Sequence, residues 1–172
     1  SYPHSWRSKA PLIFRTTPQW FISMEKNDLR KLALKGINDT KFFPDQGANR
    51  LYSMIKDRPD WCVSRQRAWG VPIAIFYHKE TLEPLRDEKV LNRVVEAFRK
   101  EGADAWFSKP EKYFLGDDYN PEDYIKVNDI ADVWFDSGST HSYVLEDRED
   151  LSWPASMYLE GTDQHRGWFH SS

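Results

Sequence analysis

The residues best suited to chemistry lie near the end of the sequence, in Tyr158-Leu159-Glu160-Gly161-Thr162-Asp163-Gln164-His165-Arg166-Gly167-Trp168-Phe169. Apolar residues run into an acid and a glycine, and polar residues then lead to a helix start. In open α/β sheets, ligands bind at the carboxyl ends of strands. Glu160 at such a place could accept from ribose hydroxyls or from an ammonium group. Gly161 has no side chain and lets a ligand approach the backbone closely. Asp163 and Gln164 add an acceptor and a mixed donor and acceptor. Trp168 could wall an apolar pocket. The same residues fit equally well a plain strand, turn and helix, with Asp163 as N-cap and Trp168 as core.

A second group is Trp61-Cys62-Val63-Ser64-Arg65-Gln66-Arg67-Ala68-Trp69-Gly70-Val71-Pro72. Arg65 and Arg67 offer planar forks to phosphate or carboxylate. Trp69 beside Gly70 could present a ring face to an apolar ligand, although tryptophans are more often packing residues. A third group is Asp132-Val133-Trp134-Phe135-Asp136-Ser137-Gly138-Ser139. It reads as a brace for a ligand loop or, equally, as a structural turn. His165 and His170 lack a cysteine or a third clustered ligand, so no metal site is expected. The sequence has neither a Gly-x-Ser-x-Gly elbow nor a glycine-rich phosphate loop of the common kinds.

The elements around these groups can be read from periodicity. Asn27 or Asp28 is placed to cap a helix with Leu29, Leu32 and Ala33 on one face, and Gly36 to end it. A second helix is expected from about Asp45, carrying Leu51, Met54 and Ile55 and stopped by Pro59. Val71 to Tyr77 reads as a strand with Pro72 near an end or edge. The stretch 79–128 is rich in charge and contains Pro84, Pro110 and Pro121. Within it, a helix capped by Asp87 and ended by Gly102 would turn Leu91, Val94, Val95 and Phe98 one way. This stretch reads as a lobe inserted between two parts of another domain. Ile130 to Phe135, broken by Asp132, and Met157 to Leu159 read as short apolar stretches, the latter a buried strand.

Bulk properties narrow the class. The 172 residues suffice for one domain or two small lobes, and 30 % charged with 40 % hydrophobic residues is a globular composition. Eight Trp, eight Tyr and ten Phe can supply large buried areas. A net charge of -3 argues against a uniformly basic surface for nucleic acid. The single cysteine, Cys62, excludes an internal disulfide and a thiolate-rich zinc site, and it suits a reducing compartment such as the cytoplasm. No signal peptide or membrane-spanning stretch is read. The sequence starts without methionine and stops just after a helix opening, so it is expected to be an internal fragment.

In this order, the three groups resemble isoleucyl-tRNA synthetases of the bacterial kind, within class I. Pro18-Gln19-Trp20-Phe21, after Pro3-His4-Ser5-Trp6-Arg7, matches as well, so the resemblance covers essentially the whole chain. Valyl and leucyl relatives share a version of the Ser-Arg-Gln segment, and the isoleucine assignment rests mainly on residues 160 to 168. The resemblance implies an α/β fold: part of a nucleotide-binding, Rossmann-like catalytic domain with an inserted α+β lobe. It implies that 1–45 are the end of an editing insertion and its return linker, and that 46–78 re-enter the catalytic domain. It further implies a second connecting insertion at 79–128 and a catalytic segment with the adenylate-binding strand at 129–172.

The implied reaction is activation of isoleucine by ATP, with Mg2+, and transfer to tRNA(Ile), by a cytoplasmic monomer. By resemblance, Glu160, Gly161, Asp163 and Gln164 bind the adenylate, and Trp69 and Trp168 enclose the isoleucine side chain. The family's His-x-Gly-His and Lys-Met-Ser-Lys-Ser signatures are absent, so no complete catalytic set is expected here. Some relatives carry zinc-binding cysteines where this chain has Ser5 and Ser8, so no metal is expected. Three alternatives remain: a module contacting tRNA through Arg7, Lys9, Arg15, Arg58, Arg65 and Arg67, a structural linker whose signatures serve only packing, or part of another aliphatic-amino-acid synthetase.

Overall fold

The computed structural model describes residues 2–172. Seven α-helical segments and six short strands occur along the described chain, with 3-10 and π turns among them. The strands pair as three two-stranded antiparallel ladders. β1 (Phe21–Ile22) pairs with β2 (Trp61–Cys62), β3 (Ser64–Arg65) with β6 (Ile130–Ala131), and β4 (Phe76–His78) with β5 (Tyr124–Lys126). The observed class is thus mixed helix and strand, and no parallel pair occurs among the described residues.

Two apolar cores organise the chain. The first joins α1 (Leu29–Asp39) to α2 (Gln46–Lys56) around buried Met24, Ile37 and Ile55. Arg30 fastens them: its guanidinium donates to the carbonyls of Ile55, Lys56 and Arg58 at 2.7, 2.8 and 2.8 Å. Ile55 and Lys56 end α2 and Arg58 follows it, and a cation there complements the helix dipole. Asp45 stands at the start of α2 and the helix ends before Pro59, as expected. The first helix departs from expectation. Gly36 lies inside α1, which runs on to Asp39, because nothing crowds Gly36 and the following turn still packs Ile37. Its inward face is Ala33, Leu34 and Ile37, whereas Leu32 points to solvent.

The second core is aromatic. α3 (Glu88–Glu101), α4 (Ala105–Ser108) and α5 (Glu111–Leu115) close over β4, burying Phe76, Val90, Val94, Trp106, Phe114 and Leu115. The Trp106 ring meets Phe76 at 5.0 Å and Phe114 at 4.9 Å, and its indole N–H donates to the Val127 carbonyl at 2.6 Å. Asp87 caps α3 by accepting from the N–H groups of Lys89 and Val90, and Gly102 ends it at φ +80°, a conformation glycine adopts at little cost. Both caps were legible. The face was legible only in part: Val94 is buried and Phe98 packs against the core as expected, but Val90 and Ala97 join them while Leu91 and Val95 are exposed.

Two expected strands differ. Val71 to Tyr77 is broken: Pro72 bridges Ile130, the Ile75 N–H turns back to the Ile73 carbonyl, and the strand starts only at Phe76. Pro72 has no N–H to give a ladder, and the turn at Ile75 removes another. Met157 to Leu159 forms no strand, and Met157 and Leu159 are 75 % and 82 % exposed. A buried strand needs neighbours on both edges, and no described segment pairs with this one.

Candidate functional site

The Glu160 to Phe169 segment folds as a 3-10 turn, Thr162–Arg166, followed by α7 (Trp168–Ser171). Glu160 is exposed, and its carboxylate makes no hydrogen bond or ion pair among the described residues. Gly161 beside it is also exposed; a Cβ there would lie 2.6 Å from Asp163 Oδ1, so a side chain would have to displace that carboxylate. Asp163 does not cap the turn: its carboxylate instead accepts from the Gln164 amide at 3.2 Å. Gln164 Oε1 accepts the Trp168 backbone N–H at 3.0 Å, which caps the start of α7. Trp168 is half-buried, packed on Tyr158 at 4.6 Å between centroids with the rings tilted by 44°, and its indole N–H is buried without a partner among the described residues.

The second group is built around Asp132, which is only 7 % exposed. One carboxylate oxygen accepts from the Arg65 guanidinium at 2.5 Å and from the Trp61 indole at 3.2 Å. The other caps α6 (Val133–Gly138) by accepting the Trp134 N–H at 3.2 Å. Arg65 also donates to the carbonyls of Cys62 and Ser64 at 2.7 and 2.8 Å. The predicted planar fork of Arg65 therefore finds a carboxylate of this chain. Burial, then the Asp132 charge, raises the Asp136 carboxyl above the ordinary range. Arg65, Arg67, Trp69, Asp132 and Asp136 line one open cavity of about 270 Å³. Trp69 is 93 % exposed, with a free ring face.

The sequence-predicted residues thus fall into two clusters. Glu160, Gly161, Asp163, Gln164 and Trp168 share one turn and helix start, while Trp69 lines the Asp132 cavity, which Trp168 does not line. They are connected through α6. The Trp134 ring lies so close to Gly167 that a Cβ there would stand 2.8 Å from it. Near the other end of α6, a Cβ on Gly138 would meet the Ser171 carbonyl oxygen at 2.6 Å.

One participant was read only as part of a brace, and another escaped sequence reasoning. Asp132 is a cap and an ion-pair partner at once; the signal was an acid between Ile130-Ala131 and Val133-Trp134. Gln19 is the other. Its Oε1 accepts from Ser64 Oγ at 2.6 Å, and that hydroxyl in turn accepts the Trp20 N–H at 2.8 Å. These bonds tie the segment entering β1 to the start of β3. Nothing in the spacing of residues 44 or more apart announces such a contact.

Of the basic residues grouped for an RNA surface, two serve the interior. Arg58 stacks over Trp61 at 4.9 Å and donates to the His170 carbonyl at 3.1 Å, and burial lowers its pKa from the ordinary value. Arg65 is held by Asp132. Ser5 and Ser8 close a tight loop: Ser5 Oγ accepts the Ser8 N–H at 3.3 Å, and Ser8 Oγ accepts the Ala10 N–H at 3.4 Å. No group of three or more His, Cys, Asp or Glu suited to a metal ion occurs among the described residues. No helix among them is long and apolar enough to cross a membrane.

The model of the family "tRNA synthetases class I (I, L, M and V)" matches residues 7–172. Over its full length the chain is 66 % identical to the isoleucine–tRNA ligase of Pelagibacter ubique, across 19 % of that protein. It is 61 % identical to the isoleucine–tRNA ligase of Bartonella henselae and 59 % to that of Gluconobacter oxydans, across 18 % of each. The chain thus spans about a fifth of the length of these relatives. With a match running through both tryptophan-bearing groups and the turn between Glu160 and Trp168, the chain belongs to the class I tRNA synthetases.

Proposed function

We propose that this chain is a segment of an isoleucine–tRNA ligase and carries part of its adenylate and isoleucine pocket. The observation that carries the reading is 66 % identity to such a ligase along the entire chain, both candidate groups included. The reaction is then activation and transfer. The isoleucine carboxylate attacks the α-phosphate of ATP, pyrophosphate leaves, and a tRNA hydroxyl later displaces AMP from the isoleucyl carbonyl. ATP and its Mg2+ enter as substrate.

Glu160 and Gly161 form the adenylate edge. An exposed carboxylate without an internal partner is free to accept hydroxyl or ammonium donors, and a bare glycine beside it lets a nucleotide lie against the backbone. Asp163 and Gln164 follow on the same turn, near the ribose and amino group. Trp69 and Trp168 supply ring faces for the isoleucine side chain. Such a pocket separates isoleucine from valine weakly, because one methylene changes apolar binding little; this amino-acid pair is itself the usual illustration of that limit.

In this reading, residues 46–78 and 129–172 belong to a Rossmann-like catalytic domain. Residues 79–128 form an inserted α+β lobe, whose aromatic core, built by α3 to α5, also takes in Phe76 of β4 just before that boundary. Residues 1–45 lead back from an editing insertion. The setting is the cytoplasm. Charging of tRNA(Ile) with labelled isoleucine by the full-length protein tests the proposal; charging by another amino acid in its place contradicts it.

A further inference from the structure

We infer that Asp132 is the positioning residue that holds the two tryptophan-bearing segments, around Trp69 and around Trp168, in fixed relation to each other. This rests on the reading of both tryptophans as walls of the isoleucine pocket.

The Trp69 loop is fastened at both stems to one strand. Before the loop, Ser64 and Arg65 pair with Ala131 and Ile130. After it, the Ala131 N–H donates to the Val71 carbonyl at 2.7 Å, and Pro72 bridges Ile130. Gly70, at φ +151°, presses on Ile130: a Cβ there would lie 2.4 Å from Ile130 Cδ1. The loop therefore moves only as β6 moves. β6 runs directly into Asp132, and Asp132 begins α6.

The other half of the linkage is the packing of α6 on α7. Trp134 touches Gly167, and Gly138 touches the Ser171 backbone, so glycine at both places lets the helices approach without an intervening side chain. Trp168 is the first residue of α7. One carboxylate thus binds Arg65 and Trp61 on the Trp69 side with Oδ2, and the α6 start on the Trp168 side with Oδ1.

Both oxygens are in use, and this makes the position chemically specific. Asparagine has one acceptor oxygen and a two-proton donor. Turned to keep the α6 cap, it points its NH2 at the donors of Arg65 and Trp61. Turned to keep those, it loses the cap. Either way a donor faces a donor in a buried place, and the two segments come apart.

The test is ATP–pyrophosphate exchange by the full-length protein, comparing wild type, Asp132→Asn and Arg65→Lys. Lysine keeps the charge of Arg65 but not its fork. The expected result for Asp132→Asn is a rise of about tenfold in KM for isoleucine, with KM for ATP and kcat per active site within about twofold. Arg65→Lys should move the same constant in the same direction, and it supplies the readout if Asp132→Asn does not fold. Unchanged KM for isoleucine in both folded variants, with only a smaller active fraction by active-site titration, overturns the inference and leaves the functional reading intact. A wild type without isoleucine-dependent exchange overturns the functional reading and the inference with it.

Discussion

Gln164 holds the start of the helix that begins with Trp168: its Oε1 accepts the Trp168 backbone N–H at 3.0 Å. The side chain proposed to contact the amino acid is thus also the cap that orients the tryptophan beside it. Its amide N–H groups remain for Asp163 and for a ligand.

Replacing Gln164 should therefore have two separable effects. Gln164→Ala removes the cap and costs about 1 kcal/mol of stability, and it also weakens isoleucine activation. Gln164→Glu keeps an acceptor for the Trp168 N–H and should retain stability while losing the amide donor. Thermal melts beside exchange kinetics separate the two. Loss of stability in both variants to the same extent would contradict the cap.

Glu160 and Trp168 should fail differently. Glu160→Ala removes the free acceptor proposed to meet the adenylate, so exchange in the full-length protein should fall by about a hundredfold or more. Trp168→Ala removes the ring proposed as an apolar wall and should raise KM for isoleucine more than KM for ATP. Near-normal exchange for the first, or equal shifts of both constants for the second, would refute these roles.

Trp106 should dominate the stability of the aromatic core. It is fully buried, packs on Phe76 and Phe114, and satisfies the Val127 carbonyl. Trp106→Ala should cost about 3–5 kcal/mol in denaturant unfolding. Trp106→Phe keeps much of the ring contact but strands that carbonyl, and should cost less. A change below about 1 kcal/mol for alanine would contradict the burial.

His170 should make stability depend on pH. Burial first, then the charges of Arg58 and Arg166, lowers its pKa to about 4 from 6.5. Between those values the unfolded chain binds a proton that the folded chain refuses, so stability falls as pH drops from 6.5 towards 4. His170→Asn should flatten the melting temperature across that window. An equally steep dependence in the variant would assign it to other groups.

What the sequence revealed, and what it hid, follows from the range of each interaction. Asp87 and Gly102 bound α3 as expected because capping is local chemistry between near neighbours. The identity of the buried face depended on what α3 meets, and the β4 and α5 surfaces selected Val90 and Ala97 over Leu91. Met157 to Leu159 has the composition of a strand but finds no pairing segment among the described residues. At the candidate site, Glu160 to Trp168 could be picked out as one contiguous run. The Asp132–Arg65 and Gln19–Ser64 contacts join residues far apart in sequence, which residue types alone do not pair.

The most direct test is amino-acid-dependent ATP–pyrophosphate exchange by the full-length protein with isoleucine, valine and leucine in parallel. Strong exchange with isoleucine, weaker exchange with valine and essentially none with leucine are expected. Exchange driven chiefly by leucine or valine, or no exchange from a folded protein, would contradict the assignment of this chain to an isoleucine–tRNA ligase.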